Sequence, residues 1–269
     1  MNPVSDTAFL TCGARAADAK IAQSLCDDHY ASLFMTEHGK QVYESFRLDD
    51  KPRASIVIRH RLIDDLLRAR LAQNPETTVI IIGAGFDARA FRLPGGNWVE
   101  IDEPQVINLK NQVLPASQCR NPFRRIAIDF SHESLADKLP AVAPGTPVVV
   151  VMEGIFVYLE EQQARSNLRI LKEAYPAHTL ICDLCTRYFM ERYGKGLTQR
   201  IEKLGAKLKF LPDDTTEIFI QAGYREVNRI SVVGKFMEHL GTRFGLWLVS
   251  LLMPRLLSGN CLHVFEARA

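Results

Sequence analysis

Residues 79–82 are four consecutive β-branched apolar residues that run without interruption into Gly83-Ala84-Gly85. A run so short and so uniformly apolar belongs to a strand covered on both faces, and the glycines admit a tight turn at its end. Residues 98–101 and 147–152 have the same character, and each run stops at an acid, Asp102 and Glu153 respectively. A fourth run, 125–128, stops at Asp129. Between these runs lie helical segments at 103–114, 133–139 and 160–175, the last with Ala164, Leu168, Leu171 and Tyr175 three or four apart. Strand and helix alternate, which requires a mainly parallel sheet with right-handed crossovers. Residues 179–182, 224–230 and 261–265 supply the later strands, so the expected fold is α/β, a doubly wound, Rossmann-like sheet with helices on both faces.

Residues 1–75 read as a helical N-terminal cap, with 59–71 amphipathic and closed by the Asn74-Pro75 breaker. Residues 186–213 read as an inserted helical lid between two strands, near the strand ends where ligands bind. No repeat or Gly/Ser linker divides the sequence, so 1–269 is expected to be one domain, with the core at 76–269. Thirty-three Lys plus Arg against 31 Asp plus Glu give a net charge of +2, with no long basic run to track a phosphate backbone. Nucleic acid is therefore not an expected partner. Six dispersed cysteines and the absence of a secretory n-region and h-region suggest reduced thiols and a cytoplasmic location. Residues 246–253 are apolar but far short of the roughly 20 residues of a transmembrane helix. A buried helix is expected there, with a membrane-touching surface or a substrate wall as the alternative.

Gly83 and Gly85 let backbone approach a ligand closely, and the following helix would offer N–H donors. Asp102 stands 19 positions after Gly83, beyond the second strand, where a carboxylate accepts both hydroxyls of a ribose or caps the next helix. The third position of a dinucleotide fingerprint is Ala88, which an NAD site tolerates; Asp87 beside it would repel a pyrophosphate and suits an ammonium group. Asp129 is placed to bond an adenine amine with Phe130 against the ring, or to cap the segment after it. Glu153 would hold an amino group, or pair with an arginine. Arg15, Arg59, Arg89 and Arg92 are candidates for a carboxylate, although most are expected to be structural or on the surface. Cys182 and Cys185 have two-residue spacing without a second Cys or His pair, so no metal is expected.

Residues 79–93 (VIIIGAGFDARAFRL), 99–104 (VEIDEP), 128–130 (IDF) and 153–159 (EGIFVYL) resemble, in that order, four blocks of the leucine carboxyl methyltransferase family. Residues 7–16 (TAFLTCGARA), 25–31 (LCDDHYA) and 58–64 (IRHRLID) are similar to its bacterial polyketide O-methyltransferase branch, typified by the tetracenomycin enzyme. The resemblance spans about residues 7–188 and implies S-adenosylmethionine as cofactor on a class I methyltransferase sheet. It implies Gly83 and Asp102 as cofactor contacts, Asp129 and Phe130 at the adenine, Glu153 near the methionine moiety and Arg59 at its carboxylate. In carboxyl-methylating members a basic residue one turn before Arg59 does that last work, and Ser55 stands there.

The expected function is therefore an S-adenosylmethionine-dependent O-methyltransferase acting on a carboxylate or hydroxyl of a small, polyketide-like metabolite. A carboxylate acceptor needs no base, whereas a hydroxyl needs one, and His29, His132 and His178 are the candidates. No catalytic residue is named. The alternatives are a protein C-terminal carboxyl methyltransferase, an NAD-dependent oxidoreductase and a nucleoside-binding protein without turnover.

Overall fold

A computed structural model describes residues 3–46 and 48–267, leaving aside the side chains of Lys51, Arg243 and Phe244. The outermost limits of the expected cap and domain, and Arg47, lie outside the described residues.

The apolar runs form the strands β1 Thr78–Ile82, β2 Asn97–Asp102, β3 Phe123–Ala127, β4 Val148–Met152, β5 His178–Cys185, β6 Tyr224–Ser231 and β7 Asn260–Ala267. They lie in the order β3-β2-β1-β4-β5-β7-β6. β1 to β5 are parallel, and β7 runs antiparallel between β5 and β6. β1 and β4 are buried along their whole length, as uncharged β-branched strands between two helical layers must be. One apolar core packs β4 and β5 against Ala164, Leu168 and Leu171, and another packs β1 against Ile63, Leu67 and Leu71. The chain leaves β1 toward β2 and β3, then returns to add β4 on the other side of β1. The crevice at the carboxyl ends of β1 and β4 is therefore the place where an open α/β sheet binds ligands.

Helix Asp50–Gln73 and the shorter helices before it, beginning with Pro3–Asp18, make the expected cap. The lid contains helices Arg187–Tyr193 and Lys195–Lys203 between β5 and β6. Two expectations are corrected. Segment 133–139 forms only the 3₁₀ turn Leu135–Asp137, because seven residues ending before Pro140 cannot offset the cost of helix nucleation. Residues 246–253 are not a buried helix: they lie on and just past helix Arg243–Leu252, which exposes Trp247, Leu251, Leu252 and Met253.

Candidate active site

Gly83 and Gly85 both adopt positive φ, +67° and +47°. A Cβ on Gly83 would stand 2.6 Å from Cδ1 of Ile155, and one on Gly85 would stand 3.2 Å from Cβ of Ala8. The turn presents the Gly85 N–H to one carboxylate oxygen of Asp102 at the end of β2, while the Glu103 N–H donates to the other at 2.6 Å. Asp102 thus carries part of its helix-start alternative while still lining the cavity. Burial raises its pKa against the pull of those two donors.

The helix after the turn, Arg89–Arg92, is four residues long. The Arg89 N–H donates to Asp87 Oδ1 at 2.7 Å, and the Arg89 guanidinium pairs with the same carboxylate. The first of the expected open N–H donors, that of Arg89, is taken, because Asp87 folds back onto the backbone two residues ahead of it. The charge assigned to Asp87 is likewise neutralised by Arg89.

Beyond β4, Glu153 accepts from Arg59 Nε at 3.0 Å and Arg89 Nη2 at 2.9 Å, with His60 Nδ1 at 3.3 Å. Burial opposes its charge, yet Arg89 and Arg59 outweigh burial and hold its pKa well below the usual carboxylate range. Arg59 also donates to Asp183 at the end of β5 at 2.7 Å, and its Nη2 stands 3.3 Å from where a Gly154 Cβ would be. Asp183 in turn accepts the Gly154 N–H. Arg89 reaches Asp64 at 2.6 Å, Arg92 reaches Asp64 at 2.7 Å, and Arg15 joins Asp28 at 2.8 Å to the Phe86 carbonyl at 2.7 Å. Arg15, Arg89 and Arg92 are therefore buried or nearly so rather than on the surface. His60, Asp87 and Glu153 hold ligand atoms within 4.8 Å of one another, but the Arg89 guanidinium bonds all three and takes the place a metal cation would need.

Of these groups, Arg15, Arg59, Asp87, Asp102, Glu153 and Asp183 line one end of a cavity of about 1020 Å³, whereas Asp28, His60, Asp64, Arg89 and Arg92 are not in its wall. Gly83, Gly85, Asp102, Phe130, Glu153 and Arg59 all contribute to its wall. Asp129 does not line it: its carboxylate accepts the Ser131 N–H at 2.9 Å and meets His132 Nδ1 at 2.9 Å, and its side chain is 44% exposed. The other end is apolar, with Phe189, Met190 and Leu197 from the lid and Phe236, Met237 and Val249 from the helices between β6 and β7.

The sequence reading overlooked His60, Asp64 and Asp183. His60 and Asp64 share a buried helical stripe with Ile63, Leu67 and Leu71, and two ionisable groups on such a stripe are the signal. Asp183 closes the apolar run 180–182 just as Asp102 and Glu153 close theirs, and that position is its signal.

The sheet order and the helices on both faces define an α/β protein with the class I methyltransferase architecture. Residues 8–172 match the leucine carboxyl methyltransferase family, and the chain belongs to that family. It is similar to the tetracenomycin polyketide synthesis O-methyltransferase TcmP of Streptomyces glaucescens, 27% identical over 183 residues, 67% of this chain and 65% of that protein. It is also similar to the S-adenosyl-L-methionine-dependent methyltransferase dpfgK of Gibberella zeae, 29% identical over 177 residues, 61% of this chain and 59% of that one. The matched segment thus spans less than two thirds of these relatives' own length. In fold it is similar to a DUF574-family protein from Streptomyces avermitilis, with a TM-score of 0.60 at 15% identity over 94% of this chain and 99% of that one. The magnesium protoporphyrin IX methyltransferase of Synechocystis, solved with bound SAH, gives a TM-score of 0.50 at 14% identity over 88% and 97% of the two chains.

Proposed function

We propose that this chain is an S-adenosylmethionine-dependent methyltransferase that esterifies the carboxylate of a largely apolar small molecule, and that residues 1–269 act as one domain in doing so. The observation that carries this reading is Asp102, a buried carboxylate held across the Gly83–Gly85 turn with its edge on the cavity. There it would accept both ribose hydroxyls. Phe130 would lie against the adenine, and Asp129 would reach the exocyclic amine by giving up its contact with the exposed His132, a cheap exchange at a solvated site. Gly83 and Gly85 leave room for the nucleoside backbone, while Glu153 and Arg59 would meet the ammonium and carboxylate of the methionine end.

The charge inventory agrees. Arg15, Arg59, Arg89 and Arg92 face Asp28, Asp64, Asp87, Glu153 and Asp183, and burial, followed by Arg89 and Arg15, keeps His60 neutral. The cluster therefore carries one net negative charge, which complements a cofactor of net charge +1. A dinucleotide would need open N–H donors at the turn, and Asp87 already holds the first.

When bound, S-adenosylmethionine supplies an electrophilic methyl group on a sulfonium. The chain's own contribution is orientation and exclusion of water by the apolar lid wall. None of the three histidines named as candidate bases lines the cavity. His29 and His132 are exposed, and His178 is buried against Tyr175 and Tyr224, away from the cavity. Asp87, Asp102, Glu153 and Asp183, which line the cavity around the turn, are each engaged by N–H donors or arginines, so none of these four is poised to take a hydroxyl proton. A carboxylate acceptor needs no such proton transfer, and a volume at the upper end of the roughly 300–1,000 Å³ of small-molecule sites leaves room for cofactor and acceptor together.

Calorimetry with S-adenosylmethionine and NAD tests the reading. Wild type should bind S-adenosylmethionine, and Asp102→Ala should weaken it by roughly 10- to 100-fold, the worth of lost charged hydrogen bonds. NAD binding alone, or neither ligand, overturns it. Binding without methylation of any aromatic or aliphatic acid would leave a nucleoside-binding protein.

A further inference from the structure

Helix Val232–His239, helix Arg243–Leu252 and helix Pro254–Ser258 separate β6 from β7. Their inner faces put Phe236, Met237, Val249 and Leu256 into the cavity wall. Their outer side carries Leu240, Trp247, Leu251, Leu252 and Met253, with Trp247 58%, Leu251 65% and Leu252 71% exposed. Trp247 and Leu251 are one helical turn apart, so they project from one face. Adjacent exposed apolar side chains of this size mark a surface that meets something other than water.

We infer that this face docks on an anionic lipid bilayer surface, lying on it rather than crossing it. No helix among the described residues is long and apolar enough to cross a membrane, and interfacial insertion requires only one apolar face. Charge supports the same occupant: residues 232–259 contain Lys235, Arg243 and Arg255 against Glu238 alone, and Glu238 is paired with Lys235 at 2.7 Å. Arg255 stands two positions after Met253, its guanidinium over the exposed Tyr188 ring. A second copy of the chain is the poorer occupant, because five side chains fall far short of the roughly 20–30 residues a side that a stable interface buries. The docked helices are also the apolar wall of the cavity, so an acceptor dissolved in the bilayer would meet the site without crossing water. That last consequence rests on the proposed methyl-transfer reading; the docking itself does not.

The chain has two tryptophans, and Trp98 is buried with its indole N–H donated to the Gly95 carbonyl at 2.7 Å, so Trp247 reports the surface. Vesicles of phosphatidylglycerol and phosphatidylcholine should shift the emission to shorter wavelength, and brominated acyl chains should quench it. The double variant Leu251→Ser, Leu252→Ser should lose at least tenfold in vesicle affinity while keeping S-adenosylmethionine binding. Equal response to pure phosphatidylcholine, no response to either vesicle, or sedimentation as a dimer through this face would each overturn the inference. Cofactor binding is read separately by calorimetry, so failure here and failure of the proposed function are distinguishable.

Discussion

At the scale of single residues, the site is held by one guanidinium more than by any other group. Arg89 bonds Asp64, Asp87, Glu153 and His60 and is itself fully buried. Removing one partner of a buried ion cluster strands the others, so Arg89→Ala should cost on the order of 3–5 kcal/mol in urea unfolding. A loss below 1 kcal/mol would mean that water replaces the guanidinium. Gly83→Ala should cost about 1–2 kcal/mol for the left-handed backbone alone and weaken cofactor binding as well, because Ile155 must also move. Asp102 and Glu153 were legible from sequence because each ends an apolar strand. Their partners were not: Glu153 meets Arg59 and Arg89, which lie 94 and 64 positions away in the chain.

At the scale of elements, the clearest sequence pattern became the best-formed helix. Glu161–Ala174 buries Ala164, Leu168 and Leu171 and begins with a capping box between Glu160 and Gln163. Glu160→Ala should therefore destabilise the fold by about 1 kcal/mol in chemical denaturation, and because Gln163, the other half of the box, lines the cavity, cofactor affinity is measured alongside. An effect on binding would show that this helix is coupled to the site. The central strands β1 and β4 were legible to within a residue because burial on both faces leaves an uninterrupted apolar run, whereas the edge strands β3 and β6 are only partly covered and carry charges. Helix Arg243–Leu252 was misjudged because hydropathy is the same whether an apolar residue faces a core or the outside. The 3₁₀ turn Leu135–Asp137 was misjudged because composition does not record whether a segment is long enough to propagate.

At the scale of the whole molecule, the buried ionisable groups make stability depend on pH in a definite direction. His60 is held low in the folded chain by burial first and by Arg89 and Arg15 next; His178 and His263 are held low by burial first. Below about pH 6.5 the unfolded chain takes up protons that the folded chain refuses, so stability falls as the solution is acidified. Glu153 and Asp64 are depressed in the folded state, so a second loss begins as the pH drops through the ordinary carboxylate range near 4. Melting temperature should stay level from pH 8 to 7, decline by pH 5.5 and collapse near pH 4; a maximum at pH 5 would contradict this assignment. Strand runs, the glycine turn and the carboxylates at strand ends could be read along the chain because each depends on neighbours a few residues apart. The ion cluster, the cavity wall and the outward face of Trp247 could not, because each depends on which distant segments the sheet brings together and which side of a helix they leave uncovered.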